Sequence, residues 1–466
     1  MAEHSAGGKA HFFLAEPSGR NTLSVWVPDC GTVFSNSFAV MRFISSVLSI
    51  LSACCLLPAA WAAGDLAPDL KSGAFWNLQQ PELFGKYFNG ESGGWVDKDK
   101  TQLRIAKPAI KIGDMSLGEM LVHWKEGVPQ SMTIMMYNKG DNGAIDKDEF
   151  EKRLARIKEG LTTLTGVQPK EYRASRREAV VKVNGWSWLW DKGALALEIN
   201  TSKEGREFEA EFIRLKAGPT EASIARGDAS SRAKKADIKQ HVRKEGKRVV
   251  IQDIPMVDQG QKGYCVVATA ARIFAYYGMD YVDQHELASL ANSSASGGTS
   301  TAEMAENLKK IGARFQIRIK VLDSLADTRD FRNLLKAYNR AAAKLKKEKV
   351  ENEYDWPGFW ENADGEALKL ARAGSPAQID KWLNAIKPYI SAGIPVLWSV
   401  QLGVVPEPMR LSQTRGGHLR LIIGFDEEKK TLIFSDSWGA AHTEKEMPLA
   451  DAIAITTGRQ VMQPSK

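Results

Sequence analysis

Cysteine is scarce in this sequence. Four occur among 466 residues, at Cys30, Cys54, Cys55 and Cys265, which excludes a disulfide-dense scaffold and a multi-cysteine zinc or iron–sulfur site. Other catalytic signatures are missing as well: there is no Cys-x-x-Cys pair, no His-Glu-x-x-His zinc motif and no phosphate-binding glycine loop. Charge of one sign is also in short supply. Basic residues number 63 and acidic ones 56, a balance of +7, and 43% of residues are apolar. That is a globular composition, neither disordered nor fibrous. The length suits two or three domains at ~100–200 residues each.

Residues 41–62 run from Met41-Arg42 through an apolar stretch to Pro58 and the small-x-small triplet Ala60-Trp61-Ala62. This is the build of a signal peptide cleaved after Ala62. It is too short and too interrupted by serines for a membrane-spanning helix. Residues 1–40 show no periodicity and would bury the signal inside the chain, so they read as an extension upstream of a true start at Met41. Lipid attachment at Cys54, on Leu51-Ser52-Ala53-Cys54, is the disfavoured alternative, because apolar residues follow where a polar tether belongs. The expectation is an exported protein, periplasmic or secreted, whose mature chain keeps one thiol, Cys265. An unpaired thiol in an exported protein points to reactivity.

Residues 63–217 read as a smaller α+β domain. It has a strand at 132–137, a helix from Asp146 to Leu164 with Phe150, Leu154, Ile157 and Leu161 on one face, and a hairpin of 194–199 with 207–213. Trp186, Trp188 and Trp190 share one strand face by alternation, a stripe read as packing rather than sugar or partner binding. Asn138–Glu149 partly mimics a calcium loop, but its first ligand positions offer too little charge; Asp146 and Glu149 make a helix capping box instead.

Residues 218–248 are predicted to be a solvated basic linker, whose nine basic and four acidic residues hold five of the seven net positive charges. No aromatic interleaving accompanies them, so no nucleic-acid partner is expected. Residues 249–460 form the last unit. It opens with a strand at 249–254, then a helix from Cys265 to Tyr277 stopped by Gly278. Helices follow near 301–311, 331–349 and 379–390, then strands at 394–400, 418–425 and 431–435. Helices first and strands later give an α+β fold. Neither a cofactor nor a metal is expected.

The chemistry gathers around Cys265. A thiol at a helix start has its thiolate favoured by the helix N-terminus. Gly260 and Gly263 let the preceding loop turn tightly and let a substrate backbone approach. Gln259, six residues before the thiol, is placed to donate with the Cys265 N–H to a developing oxyanion. The mature chain offers five histidines as bases: His123, His241, His285, His418 and His442. His285 lies in a polar stretch and reads as solvated; His442 is a backup assigned to a loop. His418 opens an apolar strand after Gly416-Gly417 and is expected to be accessible. If that strand pairs with 431–435 about Glu427–Lys430, Asp436 comes to His418 and fixes its tautomer. Trp438 would shield the bond.

In this order, Gln259, Cys265, His418 and Asp436-Ser437-Trp438-Gly439 resemble the papain-like cysteine peptidases, in which an asparagine occupies the position of Asp436. Tyr276-Tyr277-Gly278 and Gly424-Phe425-Asp426 bring the resemblance nearer the double-glycine, bacteriocin-processing branch, over about residues 250–445. Cys265-Val266-Val267 departs from the Cys-Gly-Pro often found in that branch, and no transporter segment is present. The resemblance implies a cysteine peptidase acting on a peptide or protein substrate. Cys265, His418, Asp436 and Gln259 would be catalytic, with Gly263, Tyr264, Gly417 and Trp438 along the substrate path. The alternatives are an amidase, transpeptidase or acyltransferase on the same site, or an inactive binding module. Residues 63–217 are expected to serve as a propeptide or targeting module.

Overall fold

The computed structural model describes residues 64–465 apart from 88–92, 107–109, 176–177, 205–206, 226–234, 261–262, 281, 294–298, 326 and 352–354. The readings placed on 1–40, 41–62 and Cys54 lie outside the described residues.

Side-chain alternation builds the first sheet. Its eight antiparallel strands lie in the spatial order Gly93–Trp95, Gln102–Ile105, Met120–Lys125, Val128–Asn138, Glu207–Gly218, Gly193–Glu204, Asn184–Trp190 and Lys170–Arg173. The helix Lys147–Thr165 buries Phe150, Ile157, Leu161 and Leu164 in one core with Met132, Ile134, Leu195 and Leu197 of that sheet. Asp146 caps it by accepting the Glu149 N–H at 2.8 Å, and Gly166 ends it at φ +73°. Trp188 is fully buried in the same core, while Trp186 and Trp190 pack at its margin. The tryptophan stripe is therefore packing.

The second sheet runs Val242–Glu245, Arg248–Ile251, Gly416–Asp426, Val396–Leu402, Thr456–Pro464 and Ile317–Ser324, with Thr431–Ser435 also paired to Gly416–Asp426. The helix Cys265–Tyr276 packs on it, burying nearly its whole length. Among the described residues no helix is long and apolar enough to cross a membrane.

Two expectations change. The stretch 218–248 is not a solvated linker throughout. Val242–Glu245 and Arg248–Ile251 form a hairpin, and Arg248–Val250 pair with Gly424–Asp426. The apolar run Val249-Val250-Ile251 is buried while Arg243, Lys244 and Glu245 stay exposed; the run draws the charged strand onto the sheet edge, where its side chains remain in water. The helix expected at 379–390 is two, Pro376–Asn384 and Lys387–Ile390. Pro388 has no N–H for the carbonyl a turn earlier and so interrupts the ladder.

Residues 63–466 form one compact unit. Val180, from the N-terminal part, belongs to the core of the second sheet. Arg214, on the first sheet, is fully buried and bonds Glu198 at 2.5 Å and, from the helix Gln284–Leu290, Glu286 at 3.0 Å; it also pairs with Asp283.

Candidate active site

The cysteine helix carries its polar residues at helical spacing in an otherwise apolar run. Cys265, Thr269, Arg272 and Tyr276 fall at i, i+4, i+7 and i+11, on one face. Cys265 is the first helical residue and half-buried. Thr269 Oγ1 donates to the Leu419 carbonyl at 3.3 Å and meets Ser437 Oγ at 3.1 Å. The fully buried Arg272 donates to the Pro255 carbonyl at 2.9 Å, the Asp436 carbonyl at 3.0 Å and Ser435 Oγ at 2.6 Å. The helix that presents the thiol thus grips the segment that presents Asp436.

His418 sits on Gly416–Asp426, and Asp436 immediately follows Thr431–Ser435. The hairpin joining these strands pairs Leu421 with Ser435, which brings the two side chains together. His418 Nε2 lies 3.0 Å from Asp436 Oδ1. Its Nδ1 has no oxygen or nitrogen partner and is the ring nitrogen left for the thiol. The ring is fully covered, contrary to the accessibility expected of a strand mouth. Trp438 accounts for this: it stacks parallel on the imidazole with centroids 4.3 Å apart and planes 3° apart.

Sequence reasoning missed the cations around Asp436. Arg420 Nε donates to Oδ1 at 2.9 Å, and Lys445 Nζ bonds Oδ2. Arg420 also reaches Glu407 at 2.9 Å and lies over the Phe434 ring. Arg420 stands two residues after His418, hence on the same strand face. An arginine inside so apolar a run was the available signal.

These contacts set the ionisation. Burial pushes the Cys265 thiol up, but its hydrogen bond to His418, the charge of that ring and the Leu419 and Val266 backbone outweigh it and leave the thiol below its ordinary value. Burial pulls His418 down, and the bonds to Asp436 and Cys265 carry it above the ordinary imidazole value. Burial also pushes Asp436 up, yet Arg420, His418 and Lys445 together hold it well below the usual carboxylate range. The arrangement favours a thiolate–imidazolium pair oriented by a carboxylate that stays ionised.

Gln259 is buried, its N–H donating to the Ser437 carbonyl at 2.8 Å. It borders a cleft of about 860 Å³ together with Gly263, Trp438 and the loop bearing Arg410, Thr414 and Arg415. Gly417 is exposed nearby on the histidine strand. Tyr264 does not face the cleft. It is buried, its hydroxyl 3.5 Å from Asn138 Oδ1 and its ring against Gly140, so it locks the start of the cysteine helix to the first sheet. His285 is buried rather than solvated, edge-on to the Tyr264 ring at 5.7 Å. His442 lies in the short turn Ala440–His442, where its carbonyl accepts from the Asp436 N–H at 3.0 Å. His123 lies on the first sheet, and His241 bonds Asp253 at 2.8 Å. The lining of the cleft runs from Gln259 to Trp438. No described residue of 63–217 is among that lining. Among the described residues there is no group of three or more side chains suited to a metal ion.

No curated protein matches the chain. Among solved structures, xylellain, a cysteine protease from Xylella fastidiosa, is 13% identical, with 50% of this chain and 90% of that one covered and a TM-score of 0.25. Residues 251–456, a little under half of the chain, match the model of the Peptidase_C39 like family, and the enzyme they carry is a cysteine peptidase.

Proposed function

We propose that this protein is an exported cysteine peptidase that hydrolyses peptide bonds with Cys265 as nucleophile, His418 as the proton-transfer group, Asp436 as its orienting anion and Gln259 as an oxyanion donor. The observation that carries the reading is His418 held between Asp436, at 3.0 Å from Nε2, and the thiol of Cys265. The thiolate attacks the scissile carbonyl carbon, forming a C–S bond. The Gln259 amide and the Cys265 N–H stabilise the oxyanion. The His418 imidazolium gives its proton to the departing amine as the C–N bond breaks. Water then attacks the acyl-enzyme, losing a proton to His418, and the thiol ester opens to a free carboxylate and the regenerated thiolate. Asp436 keeps its charge throughout and holds the ring in one tautomer. Trp438 keeps water off the His418–Asp436 bond.

Export rests on the signal-like residues 41–62. Tyr276-Tyr277-Gly278 and Gly424-Phe425-Asp426 favour the double-glycine branch. The test is hydrolysis of a fluorogenic peptide library by the purified chain and its Cys265→Ala and His418→Ala variants, with product masses read with and without added amine. Both variants are expected to lose activity by several orders of magnitude, with free acids as products. Full activity in Cys265→Ala would sink the proposal, and amine adducts as main products would make the enzyme an acyltransferase.

A further inference from the structure

The loop from Gly403 to Arg415, between the strands Val396–Leu402 and Gly416–Asp426, brings Arg410 and Arg415 to the cleft. Both are exposed. The other cations of the site have internal partners: Arg420 has Asp436 and Glu407, Lys445 has Asp436, and Arg272 has main-chain carbonyls and Ser435. Arg410 and Arg415 have no such ion pair among the described residues. Glu407, the one acid on this loop, is engaged with Arg420 at 2.9 Å. Among the described residues the cleft lining holds two guanidinium groups and no carboxylate.

The bland account of two exposed arginines is solvation. The setting argues for more. These two sit on the wall of a cleft of about 860 Å³ that also touches Gln259 and Trp438. A concave site lined by one sign of charge focuses its field and concentrates the opposite sign. A guanidinium stays charged at any working pH and takes a carboxylate through two parallel N–H donors. Ser412, Gln413 and Thr414, between the two arginines, add neutral donors, and Leu411 an apolar contact.

We propose that this loop selects substrates carrying a carboxylate near the scissile bond, either an Asp or Glu side chain or a free C-terminus. The proposal deepens the peptidase reading and rests on it. The experiment uses peptides matched except for Glu, Gln or Lys at each position up to three residues either side of the cleaved bond, each with a free or an amidated C-terminus. In the full chain, kcat/KM is expected to fall roughly three- to tenfold from Glu to Gln, the scale of a partly exposed charge-assisted contact, and further for Lys. The advantage should shrink as salt is raised. Arg410→Gln and Arg415→Gln should each reduce it, and the double variant R410E/R415E should favour the Lys peptide while melting like the parent.

A preference kept in amidated peptides identifies a side chain as the recognised group, and one confined to free C-termini identifies the terminal carboxylate. Rates equal for Glu and Gln peptides and also equal for free and amidated C-termini, or a preference that survives the double variant, would overturn the proposal. Binding of the same labelled peptides to Cys265→Ala by fluorescence anisotropy separates the two readings. Selective binding of Glu peptides with no cleavage by the parent would retire the peptidase reading and keep the charge selection. Cleavage with indifferent binding would do the reverse.

Discussion

The surroundings of Asp436 explain why a carboxylate rather than an amide stands beside His418. A neutral amide can orient an imidazole, but it cannot neutralise Arg420 and Lys445, and all three groups are nearly or wholly removed from water. Breaking a buried pair by removing one partner costs about 3–5 kcal/mol, so Asp436→Asn is expected to lose that much stability in urea unfolding, along with its activity. A variant that unfolded at the parent's denaturant midpoint would show that the cations do not depend on the carboxylate. The pair on the other side of the ring has its own test. Cys265 is lowered and His418 raised, each in part by its contact with the other, so the two titrations are drawn together. Iodoacetamide should therefore label Cys265 rapidly well below the usual thiol range. In His418→Ala only burial and backbone remain, and labelling should require alkaline pH. Identical pH profiles for the two proteins would rule out the ion pair. That Cys265, His418 and Asp436 come together was legible from order and spacing, because each stands at the start or end of a recognisable helix or strand. Arg420 and Lys445 could not be read this way, because their roles exist only once Asp436 is buried. His285 was misread for a related reason: a polar local sequence says nothing about the sheet that comes to cover it.

Strands with clean alternation and helices with clear stops were legible: Lys147–Thr165 with its Asp146 cap, Cys265–Tyr276 with Gly278, and Thr431–Ser435. The pair Ile317–Ser324 and Thr456–Pro464 escaped because each mixes charge into its run and is completed only by the other. The loop before the cysteine helix shows how an element's geometry is set from a distance. Gly260 has φ +69°, and a Cβ there would lie 2.2 Å from Arg104 Nη2. Arg104, on the strand Gln102–Ile105, is anchored to Glu119 at 2.7 Å. The Gly260 N–H donates to Asp258 Oδ1 at 2.8 Å, so this turn fixes the path through Gln259. Gly260→Ala should cost about 1–2 kcal/mol from the left-handed backbone alone. It should also displace Gln259, lowering kcat toward the roughly 10²–10³-fold loss that follows removal of an oxyanion donor. Thermal melts and steady-state kinetics on the same preparation separate the two effects. A lowered melting temperature with unchanged kcat would mean that this turn supports the fold without placing Gln259.

At the scale of the whole molecule, the sheets read as two domains lie in one compact unit, and the joining contacts link residues far apart in sequence. Val180 lies in the second core, Tyr264 reaches Asn138, and Arg214 meets Glu286 across 72 residues. No local pattern marks such residues. Arg214 lies just past the strand read at 207–213, yet it is the cation that answers Glu198 and Glu286, both essentially without solvent exposure, and Asp283. Glu286 is further fixed by accepting the Val180 N–H at 3.0 Å. This cluster couples the first sheet to the helix beside the cysteine helix. The full chain should therefore unfold in one calorimetric transition whose calorimetric and van't Hoff enthalpies agree. Arg214→Ala removes the cation that Glu198 and Glu286 share from opposite sides of the contact, and the same transition should lose about 3–5 kcal/mol of stability. If the parent instead melts in two separate steps, or if Arg214→Ala shifts only one of two steps, the N-terminal sheet is an independent domain resting on the peptidase rather than part of the structure that holds its active site.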